Sequence, residues 1–324
     1  MKAVLMGNLV AGYLDDLKAQ LKTPWDVAFV GDDGTGLAAA LADADAAVVI
    51  GWSKKTPPAP KLRLLQVGGA GTDGVDFSSV PLQTTVCNAF GHEDAMGEYA
   101  LMTMMVWCHR FHELSRVLDT GYLTQSERSG LEHHGEIAGM TVGIVGLGRI
   151  GLAIATRAKA LGARIIGTNR TPKPKPASVD EVVPWAQRAR VFAQSDFVCL
   201  ATALGPETRG LVDAAMLAQM KPTGVLLNVG RGALVDEDAL YAALEQKRIG
   251  GAIIDVWWSY PNAEKPEAPL SRHPFHALPN VLTTPHASGW TVGMRRRRAG
   301  QFADNLDRLV RGEPLNHVVQ PPRQ

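Results

Sequence analysis

Apolar and polar positions change their spacing along the chain in a way that separates short strands from amphipathic helices. An apolar run at 3–6 gives way to Val10, Leu14, Leu17 and Leu21, spaced four, three and four apart. That spacing is one face of a helix, so a strand followed by a helix is predicted. Further apolar runs at 27–30, 46–50, 62–67 and 84–87 predict strands of a small parallel α/β unit, with turn-rich breaks such as KKTPPAPK and GGAGTDG between them. From about Glu93 the residues MGEYALMTMMVWCHRF are apolar on most faces, which predicts a buried helix leading into a second unit. There the pattern restarts. TVGIVGLGRIG predicts a strand, a glycine turn and a helix reaching Leu161, RIIGTNR the next strand, and DFVCL, VLLN, AIID and VLTT further strands. DEDALYAALEQ is helical, with Asp236 placed to accept first-turn N–H groups, and a last helix is expected from near Thr291 to near Gly312, packing back on the first unit.

Strand and helix alternating in this order predict parallel sheets covered by helices. At 324 residues the chain is too long for one ordinary core. The expected division is 1–92 joined by 290–324, with 93–289 between them.

Composition removes several function classes. Hydrophobic residues make up 46% and charged residues 20%, the balance of a folded protein. Lys and Arg number 33 against 32 Asp and Glu, so no overall field draws the chain to nucleic acid or to an anionic membrane. The arginines at 295–298 share one helical turn and point in several directions, which does not make a nucleic-acid patch. Small molecules and further copies of the chain are the expected partners. Cys87, Cys108 and Cys199 lie in separate apolar stretches without metal-ligand spacing and read as reduced core thiols, and no metal is expected. His133 and His134 read as a surface loop. The start MKAVLMGN reads as a strand rather than a leader, and the apolar run 99–108 is too short to cross a bilayer. A cytoplasmic location is the expectation.

Chemistry begins at GLGRIG, residues 146–151, set between a predicted strand and helix. In that setting Gly146 permits a tight turn, Gly148 lets the backbone approach a pyrophosphate, and Gly151 allows close helix packing, with the helix N-terminus meeting the phosphates. An acidic residue about 20 positions on would hold the ribose 2′-hydroxyl of NAD. Asn169 and Arg170 stand there instead, with Thr171, Lys173 and Lys175 beyond. This basic strand end favours a 2′-phosphate, so NADP(H) is the preferred cofactor and NAD(H) the alternative.

GIVGLGRIG, SDFVCLATALGPETRGLVD, LLNVGRGALVDEDAL, GAIIDVW and LTTPHASG occur in one order over essentially the whole chain. In these segments the chain resembles the D-isomer-specific 2-hydroxyacid dehydrogenase family. The resemblance implies a Rossmann doubly wound parallel-sheet cofactor domain and a smaller flavodoxin-like α/β substrate domain. It implies reversible hydride transfer between a nicotinamide cofactor and a small 2-keto or 2-hydroxy acid such as glyoxylate or hydroxypyruvate, in a homodimer. By the same resemblance Arg231, in NVGRG, clamps substrate carboxylate and carbonyl, and His286, after Thr-Pro, is the general acid/base. Arg149, Ile150, Thr202, Ala203, Thr208, Val229 and Gly230 line the cofactor, Asp255 lies by the nicotinamide carboxamide, and the backbone of Gly69, Ala70 and Gly71 receives the substrate carboxylate.

One position departs from the family. The catalytic glutamate five residues after the aspartate is absent, and Tyr260 occupies its place. Glu264 and Glu267 lie nearby in sequence. Formate dehydrogenases, related to the family, have glutamine there, so formate-dehydrogenase-like hydride transfer and a non-enzymatic dinucleotide-sensing scaffold stand as the alternative functions. Tyr260 is expected beside His286, orienting its ring through the phenol hydroxyl.

Overall fold

The computed structural model describes residues 1–115, 133–261, 265 and 267–323. They fall into two compact units, Met1–His92 with Trp290–Gln324, and Glu93–Gly289.

The first unit holds β1 (Lys2–Met6), β2 (Asp26–Val30), β3 (Ala46–Val49), β4 (Leu64–Val67) and β5 (Thr85–Cys87). They form a parallel sheet in the order β2-β1-β3-β4-β5, the flavodoxin-like order. Every residue of β3 and β4 is buried, because helices and loops cover both faces and leave no polar side to alternate with. The helix predicted from Val10 is instead two pieces, Asn8–Ala11 and Leu14–Gln20, broken around Gly12. Val10, Tyr13 and Leu17 are its buried positions, so the aromatic ring rather than Leu14 fills the core.

The long helix Val292–Arg311 closes this unit's other face. Thr291 caps its first turn by accepting from Met294 N, and Gly312 ends it in the left-handed region. Met294, Ala299, Phe302 and Leu306 pack with Leu5, Leu17 and Leu64. A strand absent from the sequence reading, β13 (Val318–Gln320), then pairs antiparallel with the edge strand β5.

The second unit holds β6 (Thr141–Val145), β7 (Arg164–Asn169), β8 (Glu181–Pro184), β9 (Phe197–Leu200), β10 (Val225–Asn228), β11 (Gly251–Ile254) and β12 (Val281–Thr283). All neighbours are parallel, in the order β12-β11-β10-β9-β6-β7-β8. The order reverses at β6, as in a Rossmann sheet, and the crevice at that reversal is where such sheets take ligands. β8 was not expected. It is a short edge strand ending in Pro184, a position where the missing N–H costs no ladder bond.

The helix Glu93–Cys108 lies against Arg149–Ala160, and the approach is close: a Cβ on Gly97 would sit 3.1 Å from the Ala153 backbone. It stops short of Phe111 because Arg110 turns left-handed, φ 50°. The three cysteines are buried and free. Among the described residues no helix is long and apolar enough to cross a membrane, and no group of three or more His, Cys, Asp or Glu is placed to hold a metal ion.

Candidate active site

The glycine turn follows β6, and the structure gives each glycine a separate reason. Gly146 has φ 103°, and a Cβ there would lie 2.7 Å from Thr202 N. Gly151 would place a Cβ 2.1 Å from Gly146 O, so the helix could not pack on the turn. At Gly148 nothing lies within 4 Å of a built Cβ. That open space, at the N-cap of the helix Arg149–Ala160, is what a pyrophosphate requires. Beside it is a cavity of about 640 Å³, lined in part by Gly148, Arg149, Asn169, Arg170, Lys173 and Trp185. Its size and its basic rim suit the adenosine half of a dinucleotide. Asn169 Nδ2 donates to Thr171 O at 2.9 Å, and Arg170 Nη1 to Glu207 Oε2 at 2.9 Å. Ile150 is half-buried against the core beneath the turn.

Thr202 and Ala203 follow β9, whose extension stands against Gly146. Thr208 is buried, donating to Ala203 O and accepting from Gly205 N, both at 2.8 Å. Its hydroxyl thus shapes the loop rather than facing outward.

After β10 the chain turns through Val229, Gly230 and Arg231. Asn228, 2% exposed, clasps this turn: its Nδ2 donates to Arg231 O at 3.0 Å and its Oδ1 accepts from Gly230 N at 3.1 Å. Arg231 Nη1 donates to Gly230 O at 2.9 Å. Gly232 is obligatory at the next position, since a Cβ would fall 2.2 Å from Trp257 O.

His286 sits in the loop after β12 at φ 60°, a conformation that non-glycine residues adopt only when their surroundings impose it. The imposing group is Asp255, fully buried after β11. Its Oδ1 accepts from Thr284 Oγ1 at 2.6 Å and Ala287 N at 2.7 Å, and Ser288 N bonds Oδ2 at 3.1 Å. Asp255 therefore holds both ends of the kink that presents the imidazole. Thr284 spends its one proton on Asp255, so the Tyr99 hydroxyl, 2.7 Å away, must donate to Thr284 Oγ1. Burial pushes the Tyr99 phenol up to about 12, in keeping with a permanent donor. Trp257 Nε1 braces the same loop through Thr284 O at 3.0 Å.

Thr284→Val keeps the shape and removes both hydrogen bonds, taking one donor from the buried Asp255 carboxylate and the acceptor from the half-buried Tyr99 hydroxyl. It should lower the unfolding free energy by about 1–3 kcal/mol. Urea denaturation measures this, and an unchanged midpoint would take the bridging role away from the hydroxyl.

Tyr260 is beside His286, as expected, with ring centroids 5.5 Å apart and planes tilted 43°. Its hydroxyl behaves differently from the expectation. It accepts from Trp257 N at 2.9 Å, and it is the tilted ring that lies beside the imidazole. His286 is exposed on one side, and the desolvation of the part of its ring turned toward the protein lowers its pKa from the ordinary histidine value. The Asp255 carboxylate opposes that fall and the Arg231 cation adds to it. Burial likewise raises the Tyr260 phenol, which stays neutral. Glu264 lies outside the described residues, and Glu267 is exposed.

One neighbourhood of the second unit thus collects a fixed cation, an imidazole that tends to be neutral, a buried carboxylate and a neutral phenol. A cation fork with a proton-exchanging imidazole can hold and protonate a carbonyl compound. Gly69, Ala70 and Gly71 belong to the other unit, after β4, where Ala89 N donates to Gly69 O at 3.0 Å and Asn88 Nδ2 to Ala70 O at 2.8 Å. No sequence signal pointed to Tyr99, and Thr284 and Glu207 stood inside quoted motifs without roles of their own. Asn228 stood inside the NVGRG motif without a role of its own.

Residues 101–288 match the family described as D-isomer specific 2-hydroxyacid dehydrogenase, NAD binding domain. The chain is 34% identical to human glyoxylate reductase/hydroxypyruvate reductase over 223 residues, covering 68% of this chain and 65% of that one. It is 30% identical over 294 residues to D-3-phosphoglycerate dehydrogenase of Methanocaldococcus jannaschii, covering 87% of this chain and 53% of that one. It therefore spans between about half and two thirds of these relatives. A crystal structure of a D-isomer specific 2-hydroxyacid dehydrogenase from Xanthobacter autotrophicus Py2, in complex with NADPH and MES, is similar with TM-score 0.77 and 28% identity, covering 98% of each chain. With more than half of its residues matching the family model and these relatives beside it, this chain belongs to the D-isomer specific 2-hydroxyacid dehydrogenase family.

Proposed function

We propose that the protein is an NADPH-preferring reductase of small 2-keto acids that works reversibly as a D-2-hydroxyacid dehydrogenase. The observation that carries the reading is the Asp255-held loop that presents His286 with the Tyr260 ring 5.5 Å away, together with Arg231 on the turn clasped by Asn228 after the neighbouring strand β10. The name of the human relative, glyoxylate reductase/hydroxypyruvate reductase, supports the substrate class. Support for NADPH comes from Arg170 and Lys173 on the cavity wall and from the bound cofactor in the Xanthobacter relative. Exposed Met102, Met105 and Phe111, on and just after a helix apolar around most of its circumference, support action as a homodimer.

The turn at Gly146, Gly148 and Gly151, with Arg149, would hold the dinucleotide phosphates, and Arg170 the 2′-phosphate. When bound, the nicotinamide supplies or accepts a hydride. Arg231 holds the substrate carboxylate and polarises the carbonyl through its planar fork. His286, protonated, gives its proton to the carbonyl oxygen during reduction, and as neutral imidazole it removes the hydroxyl proton in the reverse direction. Asp255 keeps the loop in the conformation that presents the ring. Because the His286 pKa is depressed, its charged form is lost as pH rises through a value below about 6.5. Reduction should therefore be favoured on the acidic side and oxidation at neutral and alkaline pH.

The test is to follow NADPH and NADH oxidation with a panel of 2-keto acids, and NAD⁺ and NADP⁺ reduction with formate. Turnover of formate alone, or of nothing, would overturn the reading. For the cofactor, Arg170→Ala should weaken NADPH binding about tenfold to a hundredfold and leave NADH nearly unchanged, the worth of a charge-assisted hydrogen bond. Fluorescence titration decides it, and equal losses for both cofactors would remove Arg170 from the 2′-phosphate.

A further inference from the structure

Arg170 follows β7 and Glu207 lies in the segment after β9, and between those strands in the sheet stands β6 with its glycine turn. The 2.9 Å ion pair between Arg170 Nη1 and Glu207 Oε2 thus links the two segments flanking that turn. Glu207 is a feature of the loop for which the catalytic groups have no use.

We propose that Glu207 is a cofactor-selecting residue: its carboxylate occupies the Arg170 guanidinium on which a 2′-phosphate would sit, and so restrains the preference for NADPH over NADH. This rests on the nicotinamide cofactor binding at the glycine turn, as read above.

A phosphate monoester carries about −1.5 to −2 charge at neutral pH. Glu207 holds the Nη1 prong of the Arg170 fork, so a phosphate there either competes for that prong or settles on the remaining donors with a carboxylate close by, and is disfavoured in both cases. NADH presents a ribose hydroxyl at that point, which neither needs the guanidinium nor repels the carboxylate. The penalty therefore falls on one cofactor alone. Both side chains are well exposed, 55% for Arg170 and 67% for Glu207, so the pair is weak and exchanges readily. Glu207 tunes the choice rather than closing the site, and salt screens its influence. Lys173, on the wall of the same cavity, offers the phosphate a second cation.

The test measures dissociation constants of NADPH and NADH by cofactor fluorescence for wild type, Glu207→Gln, Arg170→Ala and the double variant, at low and high ionic strength. Glu207→Gln should tighten NADPH binding about three- to tenfold at low salt and less at high salt, with NADH within about twofold of wild type. The gain should shrink when Arg170 is absent. Unchanged NADPH affinity, equal tightening of both cofactors, or a full-sized gain without Arg170 would each overturn the proposal. A wild type that prefers NADH, with Glu207→Gln tightening NADPH alone, upholds the role of Glu207 and overturns the NADPH preference. A wild type that prefers NADPH, with an inert Glu207→Gln, does the reverse. Binding of neither cofactor overturns both.

Discussion

Replacing Arg231 by lysine should reduce kcat/KM for the best 2-keto acid by about two to three orders of magnitude, the range seen when one preorganised donor to a developing oxyanion is lost. NADPH affinity should stay within a few-fold of wild type. The substitution keeps the positive charge, so the loss isolates geometry. Arg231 is held by the Asn228 clasp on its own backbone and by the bond from Nη1 to Gly230 O, which together fix the plane of the guanidinium. An ammonium is a point charge on a flexible stem and cannot address carboxylate and carbonyl in one plane. The fall in activity with pH should also stay in place, because a lysine at 231 still disfavours a charged His286. Steady-state kinetics with both cofactors, checked by thermal unfolding for an intact fold, makes the measurement. A variant with near-normal kcat/KM would show that Arg231 is not the substrate clamp.

The second large effect is expected at Tyr260. A carboxylate near an imidazole favours the imidazolium, and an adjacent opposite charge raises a histidine pKa by about 1–3 units. In the wild-type protein the ring of Tyr260 packs on His286 without supplying charge, and the histidine is depressed below its ordinary value. Reduction needs the charged form, so the rate falls as pH rises through that depressed value. Tyr260→Glu should move the fall to higher pH by an amount in that range and extend reduction toward alkaline conditions. Tyr260→Phe keeps the ring and loses the bond from Trp257 N, so the limb should stay and the rate should drop modestly as the loop loosens. Profiles of kcat/KM against pH for the three proteins, with the chemical step confirmed as rate-limiting, provide the test. An unmoved limb in Tyr260→Glu would mean that this position does not govern His286.

Local chemistry made most of the Rossmann sheet readable. The strands β6, β7, β9, β10, β11 and β12 are short apolar runs bounded by turns, and the glycines of the turn carry their reasons in their spacing. β8 escaped because four residues ending in proline at a sheet edge carry little signal. The relay from Tyr99 through Thr284 to Asp255 escaped for a different reason. Its members come from the helix Glu93–Cys108, the loop after β12 and the end of β11, and only folding brings them within hydrogen-bond distance. The same holds for Arg170 and Glu207. Tyr260 was placed correctly beside His286 from its offset to Asp255, but the backbone N–H that takes its hydroxyl belongs to Trp257, three residues earlier, and depends on a loop conformation that no spacing specifies.

The division of the first unit between the two ends of the chain governs the order in which the protein can be made. During synthesis the second unit, one continuous stretch, emerges whole and can complete its sheet while the first still lacks Val292–Arg311. Until the ribosome delivers that helix, the apolar face formed by Leu5, Leu17 and Leu64 has nothing to cover it, and contacts that span nearly the full length of the chain must form last.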